Sequence, residues 1–566
     1  MQRILILTLL SLASVILNAQ DGAVVRAMKD ELARSTKKLE LEQMGKPYFI
    51  SYRVVDNESK TATGEFGSLL ASSEGHSRFL SVEVRVGDYA LDNTHFFSLP
   101  FGGTGVVRQM FSGNVQLPLD DNYDEIRRQM WLATDGAYKK ALEDFAGKRA
   151  ALQNKQRTET IADFSKETPV TLTDSAPEAT IELKDAEKLT RDLSAIFRQY
   201  PGIQTSQVYF SVDNRLERFM STEGASFVRR SPIVLLRATA STQAPNGMPL
   251  RDNVHYFTRS IKELPPNASI VADVKAMGDR LQKLQAAPLA DQYNGPVLFE
   301  GEAACVLLAR FFAHQILAQP TVLSDNPQIA QGISTQQPVG LLNKLGGRVL
   351  PDFISIVDDP TQSQAEGRSL MGAYKVDEEG VAPHETVVVK DGILKTLLAS
   401  RSPVRGVPQS SGNMREHGVA PSNLYLAASK TSTPEELKAR LLELAKSRGN
   451  AYGIVIRRLD LRDMRQAYRV YPDGHEELIR NGELAGVNVS TFKDLLAVSN
   501  NRVVFTEPFL QGTAGIGPML NFNPFEREQT IVSYVVPSLL FEDVSVQPPH
   551  GQIQRVPVLP HPFFAK

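Results

Sequence analysis

Between Tyr293 and His314 the chain places Glu300, Glu302, Cys305 and His314, side chains that could hold a metal or move a proton, within one short stretch. Carboxylates and thiolates are legitimate zinc ligands, and a carboxylate can take a proton from a metal-bound water. Spacing decides whether such groups converge. The stretch opens with a Gly295-Pro296 turn and the apolar run Val297-Leu298-Phe299, then continues into an Ala- and Leu-rich segment that is apolar on most of its circumference. A helix of that kind is buried. At ~100° per residue, Glu300 and Cys305 lie ~140° apart, so they share a metal only if the helix begins after Glu300. Glu302 and Cys305, at i and i+3, share a face. Gly301 brings no side chain. His314 lies on the far side from Cys305, and on the Glu300 side it is ~21 Å along the axis. The stretch by itself yields no compact ligand set.

Cys305 is the only cysteine, so the chain has no intrachain disulfide. Its simplest role is that of a small buried hydrophobe. The alternative is a metal ligand or reactive thiol, yet Arg310, the nearest cation, falls on another helix face and cannot lower the thiol's pKa. Asp358-Asp359 is a second site to weigh, because paired carboxylates can act as acid and base. Beside Pro360, a turn cap explains them more simply. Arg401 and Arg415 could grip a peptide carboxylate; surface salt bridges are the plainer reading.

These residues need elements to position them. The chain has 566 residues, enough for two or more domains. With 42% hydrophobic and 22% charged residues it is globular in composition. Its net charge of −2 gives no reason to expect nucleic acid as a partner. Residues Met1 to Ala19, with Arg3 followed by the apolar run Ile4 to Leu17, read as a signal peptide cut near Ala19, so an exported, periplasmic or extracellular protein is expected. That run is shorter than the ~20 residues a membrane span needs, and no stable span is expected elsewhere.

After the signal, Gly22 to Gln43 has apolar residues at helical spacing. Strands are expected from Tyr48 to Val55, Gly64 to Ala71 and Ser77 to Asp88, as an antiparallel meander. A long helix follows Leu117-Pro118-Leu119-Asp120-Asp121 and runs to about Lys155, with acids crowded at its start. Thr158 to Thr180 reads as a loop or mobile connector. Next come a helix at Asp185 to Gln199, strands at Thr205 to Asn214, Leu216 to Ser221 and Ser226 to Ser241, and a helix at Ser269 to Ala286. The main boundary is expected near Pro288, giving domains at 20–290 and 291–566. Beyond the central helix, Pro320 to Gly340 is a loop long enough to be a flap. Thr433 to Arg448 is a helix with Pro434 at its start and Gly449 at its end. Strands are expected at Ala451 to Leu459, Ala467 to Tyr471, Glu477 to Arg480, Val487 to Thr491, Val503 to Thr506 and Ile531 to Leu540. The fold class is therefore α+β, with an N-terminal strand-and-helix domain and a C-terminal antiparallel barrel-like β domain holding a buried central helix.

The turn, strand and helix around Glu300 resemble those of the TldD/PmbA family of zinc peptidases and their companions. So do Gly347 through Val357-Asp358-Asp359-Pro360, Gly372-Ala373-Tyr374, Lys390-Asp391-Gly392, Ser400-Arg401-Ser402 and Ser411-Gly412-Asn413. Leu117-Pro118-Leu119-Asp120-Asp121 through Trp131-Leu132-Ala133-Thr134-Asp135 is similar to a secreted branch of that family. Active members carry His-Glu-x-x-x-His, the histidines binding zinc and the glutamate acting as base. By this resemblance Glu300 and Cys305 stand at the histidine positions and Gly301 at the base. Gln511-Gly512-Thr513-Ala514-Gly515-Ile516-Gly517 stands where a cysteine supplies the third ligand. Asp358, Asp359, Arg401 and Asn413 become candidates for lining a peptide cleft.

The resemblance implies a degenerate subunit that binds peptide or unfolded polypeptide without cutting it, as a homodimer or beside a TldD-like partner, and with no cofactor. An alternative is an active enzyme with zinc held by Glu300, Glu302 and Cys305, completed by Asp358 or His417. A third reading is a structural assembly protein.

Overall fold

The computed structural model describes residues 22–41, 45–97, 114–153, 161–174, 176–324, 326, 328, 340–416, 418–461, 463–509 and 530–549. The expected signal peptide, most of the loop from Pro320 to Gly340, His417 and the glycine-rich segment at 511–517 lie outside these residues.

Helix α1 (Ala23–Lys38) buries Val24, Ala27, Met28, Glu31 and Ser35, the spacing of a single face. Strands β1 (Pro47–Glu65) and β2 (Ser68–Val86) form a long hairpin through Phe66 and Gly67, both at positive φ as the twist of a tight hairpin requires. The sheet is completed by β3 (Asn114–Gln116), β4 (Thr171–Asp174), β5 (Thr205–Ser221), β6 (Ser226–Gln243) and β7 (Pro249–Thr258). Their order is β3-β2-β1-β5-β6-β4, with β7 also on β6. Residues 205–221, expected as two strands, run as one paired with both β1 and β6. Strand β7 was not expected, because its Arg, Asp, Asn and His hide the alternation. Helices α2 (Tyr123–Gln153), α3 (Leu183–Ala195) and α4 (Asn267–Ala286) join α1 on one sheet face, where two apolar clusters form.

The second half is built on β8 (Tyr293–Phe299), β9 (Ile354–Asp358), β10 (Thr386–Lys390), β11 (Ile393–Leu394), β12 (Asn423–Ala428), β13 (Gly453–Asp460), β14 (Asp463–Val470), β15 (Glu476–Ile479), β16 (Gly482–Ala485), β17 (Leu495–Phe509) and β18 (Thr530–Gln547). Strands β8, β13, β14, β16 and β18 close into a five-stranded barrel, because β8 pairs with both β13 and β18. The β8–β13 pairing is parallel and the other four are antiparallel. Helix α5 (Glu302–Phe311) buries every residue from Ala303 to Ala309 in the main core. Helix α6 (Pro434–Ser447) begins with a capping box between Thr433 and Glu436 and packs Leu437 and Leu441 on Leu298, Val455 and Leu540. Val487–Thr491, expected as a strand, instead leads into a 3₁₀ turn (Val489–Asp494) that Asn488 caps, its side chain accepting from the Ser490 amide.

The connector expected to be loose is anchored between the halves. Phe164 is buried, with the Arg85 and Arg401 guanidinium groups over its two faces at 3.6 and 3.8 Å from the ring centre. Arg401 also grips Glu223 at 2.6 Å and the Ser165 carbonyl at 2.6 Å. Nearby, Arg53 reaches Glu217 at 2.5 Å and Glu378 at 3.2 Å, and Arg229 pairs with the same two carboxylates. Desolvated pairs of this kind set the register of a contact more than they add stability. The second half also caps the edge of β7. Alternate carbonyls accept from its side chains: Pro249 from Asn481 at 3.4 Å, Arg251 from Arg465 at 2.8 Å and Asn253 from Arg458 at 2.7 Å.

Phe164→Ala is expected to cost about 3 kcal/mol or more and to split urea unfolding into two transitions as the halves separate. A single transition at the wild-type midpoint would show that the ring does not join them.

Candidate functional site

Helix α5 starts after Glu300, the condition the spacing argument required. Gly301 caps it at φ 57°, a left-handed conformation that glycine adopts without strain. A Cβ built at Gly301 meets nothing within 4 Å, so the glycine is kept by its backbone and not by crowding. The turn separates two carboxylates, and each carries an arginine from β13. Arg457 donates to Glu300 at 2.9 Å and bridges on to Glu476 at 2.8 Å. Arg458 pairs with Glu302 at 3.1 Å and approaches Asp252 at 3.6 Å, which Arg280 of α4 holds at 2.8 Å. Burial pushes the Glu302 carboxyl up, against the pull of Arg458.

Cys305 faces the core. Its Sγ lies 3.7 Å from the Val503 carbonyl and 4.0 Å from that of Tyr534, and burial drives the thiol far above its ordinary range. Fully buried and packed among the apolar side chains of the core, Cys305 is not presented to the turn as a ligand. A divalent cation at the Gly301 turn would also sit beside two guanidinium groups. The residues present therefore do not fit the zinc site expected for Glu300, Glu302 and Cys305. Among the described residues no three His, Cys, Asp or Glu side chains gather into a metal-holding group.

The four residues expected along a peptide cleft are all buried in the chain. Asp358 is fully buried and accepts from the Asn413 amide at 2.7 Å and from the Ser422 backbone and hydroxyl at 2.7 and 2.8 Å, while burial raises its carboxyl to about 6. Asp359 caps the turn after it, taking the Thr361 backbone and hydroxyl at 2.9 and 2.6 Å. Asn413 is fully buried, and Arg401 forms the interior clamp described above in place of a surface pair. Arg415 stacks over the Tyr374 ring at 4.4 Å. His314 stacks on Phe509 at 4.2 Å, its imidazole lowered to about 4 by burial.

An open cleft of about 240 Å³ adjoins the turn, and apart from Glu302 and Arg310 its lining is made of residues the sequence does not single out. Glu302, Val306 and Arg310 of α5 form one wall, and Leu235, Arg237, His255 and Phe257 of the first-half sheet form the opposite one. Leu459, Asp460, Phe505 and Glu507 close the end. Glu507 pairs with Arg310 at 2.9 Å, yet burial and the nearby Glu302 and Asp460 raise its carboxyl to about 7. His255 donates through Nε2 to the Thr506 carbonyl at 2.9 Å, and burial lowers the pKa of its imidazole. The signal for this cleft lay in β7, where polar residues interrupt a strand.

Residues 292–548 match the family profile described as the PmbA/TldA metallopeptidase C-terminal domain. A metalloprotease of Archaeoglobus fulgidus is 28% identical over 224 residues, which is 38% of this chain and 49% of that protein. A metalloprotease of Methanocaldococcus jannaschii is 40% identical over 78 residues, 14% of this chain and 16% of that one. The chain thus spans about half the length of the first of these relatives and less of the second. Two crystal structures share the fold: a candidate modulator of DNA gyrase from Thermotoga maritima (TM-score 0.58, 15% identity, 92% of this chain and 99% of that one) and TldE from Thermococcus kodakarensis (TM-score 0.57, 12% identity, 92% and 100%).

Cys305 is expected to resist thiol reagents in the folded protein and to react fully once unfolded, and Cys305→Ser to cost about 1–3 kcal/mol by burying a hydroxyl. Fast modification of the native thiol would overturn its assignment to the core. Glu507 supplies a pH test. Its folded pKa, about 7, is above the unfolded value, so its contribution favours the fold at acid pH and is lost as pH rises toward 7. Glu507→Gln should therefore lower the thermal midpoint more at pH 5 than at pH 8. The opposite order would mean that the Arg310 ion pair dominates.

Proposed function

We propose that this chain is an exported PmbA/TldD-type protein that binds peptide or unfolded polypeptide without cleaving it, either as a homodimer or as the companion of a catalytic subunit. The observation that carries this reading is the turn at Gly301. The position where the resembling enzymes place their base has no side chain, and Arg457 and Arg458 neutralise the carboxylates on either side of it. Metal-assisted hydrolysis needs a group to take the proton from the attacking water and an open cation site to polarise the carbonyl, and this turn offers neither. The cleft beside it supports a binding role, since it joins apolar walls to a few charged groups, the usual make-up of a ligand site. The match of residues 292–548 to a metallopeptidase-family domain supports peptide as the ligand class.

Zinc per chain, measured in protein purified without a histidine tag or added metal, is expected to be well below one. Reversible peptide binding is expected to persist in chelator. One tightly held zinc together with chelator-sensitive cleavage would favour the altered-site enzyme. Self-association with no peptide affinity would favour an assembly protein.

A further inference from the structure

The charged groups around the cleft are matched in pairs, except for one. Glu302 has Arg458 at 3.1 Å, Glu507 has Arg310 at 2.9 Å, and Asp460 has Arg465. Arg237 is exposed at the cleft wall and has no carboxylate partner among the described residues. Its place is fixed all the same. It stands opposite Tyr209 on β5, with the guanidinium 5.9 Å from the ring centre, and opposite His255 on β7. His255 donates to the Thr506 carbonyl, and an imidazole carries no negative charge in either protonation state, so it offers no counter-charge. The neighbours of Arg237 along the wall are Leu235 and Phe257, which are cross-strand partners, and Phe505, which packs edge-on to His255 at 5.3 Å.

A single uncompensated guanidinium beside an apolar wall selects a ligand that carries both features. Arginine takes a carboxylate through two parallel N–H donors, a geometry that ammonium groups and neutral amides cannot exploit. At about 240 Å³ the cleft has room for the end of a chain.

We infer that this cleft takes the carboxy-terminal end of a short peptide whose last side chain is apolar, with Arg237 pairing with the terminal carboxylate and Leu235, Phe257 and Phe505 receiving the side chain. This rests on the peptide-binding reading above and narrows it to one end of the peptide and one class of last residue. A small free carboxylic acid shares the recognised chemistry, and the experiment separates the two.

The test is calorimetric titration of the full mature chain with the tetrapeptide Ala-Ala-Ala-Phe as free acid and as carboxamide, and with N-acetyl-phenylalanine. The free-acid peptide is expected to bind about tenfold or more tightly than its amide, the size of one charge-assisted hydrogen-bonded contact. Arg237→Gln should abolish that preference, weakening the free acid about tenfold or more and the amide far less. Arg237→Lys should restore only part of it, because charge alone does not replace the two-pronged contact. Equal binding of acid and amide, or a preference that survives Arg237→Gln, overturns the inference and leaves the peptide reading intact. N-acetyl-phenylalanine binding as tightly as the peptide overturns it in favour of a small carboxylate. Failure of all three ligands to bind overturns both readings.

Discussion

Strand β18 is the member on which the second half depends. It pairs with β8, β12, β16 and β17, and its residues from Thr530 to Pro537 are all buried. A strand hydrogen-bonded on both edges and buried on both faces has one place to go, the centre of a sheet. The pairing of Leu539, Leu540 and Phe541 with Phe299, Leu298 and Val297 closes the barrel, and it also fixes where β8 ends. Because β8 ends there, the chain must turn at Gly301, and the apolar helix that follows has only the core to enter. The geometry beside the turn is thus a consequence of barrel closure, set before any of the charged side chains is considered.

On that frame the charges do a different kind of work. Arg457 and Arg458 are adjacent on β13, where a bulge displaces the register, and they serve carboxylates on either side of the turn. Arg458 continues through Asp252 to Arg280, so the same arginine that quiets Glu302 also ties β13 to the first-half sheet and to α4. The Arg53, Arg229, Glu217 and Glu378 group and the Phe164 sandwich make further ties of this type. The site and the junction between halves share residues, so a change in one is felt in the other.

The elements that declare themselves by local rules were legible in the sequence. Helix α6 carries its proline and capping residues, helix α5 its largely apolar circumference, and several hairpins their Asn-Gly and Asp-Gly turns. What could not be read depends on partners far away in the chain. Glu300 meets an arginine 157 positions later, and Arg401 clamps a carbonyl 236 positions earlier. No local pattern announces either contact. The connector reads as loose because Phe164 is a lone aromatic in a polar stretch, and it is ordered by Arg85 and Arg401, which lie outside that stretch. The cleft residues were missed for a related reason. A strand with one face against a polar seam does not alternate cleanly between apolar and polar, so β7, with His255, was passed over.

The capped edge of β7 has a bearing on which contacts that edge leaves open. Proteins that accept almost any extended polypeptide commonly do so by adding it as one more strand, reading the main chain that all polypeptides share. Here the acceptors at Pro249, Arg251 and Asn253 are engaged by side chains of the chain's own second half. Along residues 249–253 that edge is closed to strand addition, because an extended chain arriving there meets side chains of the second half and not a free row of carbonyls.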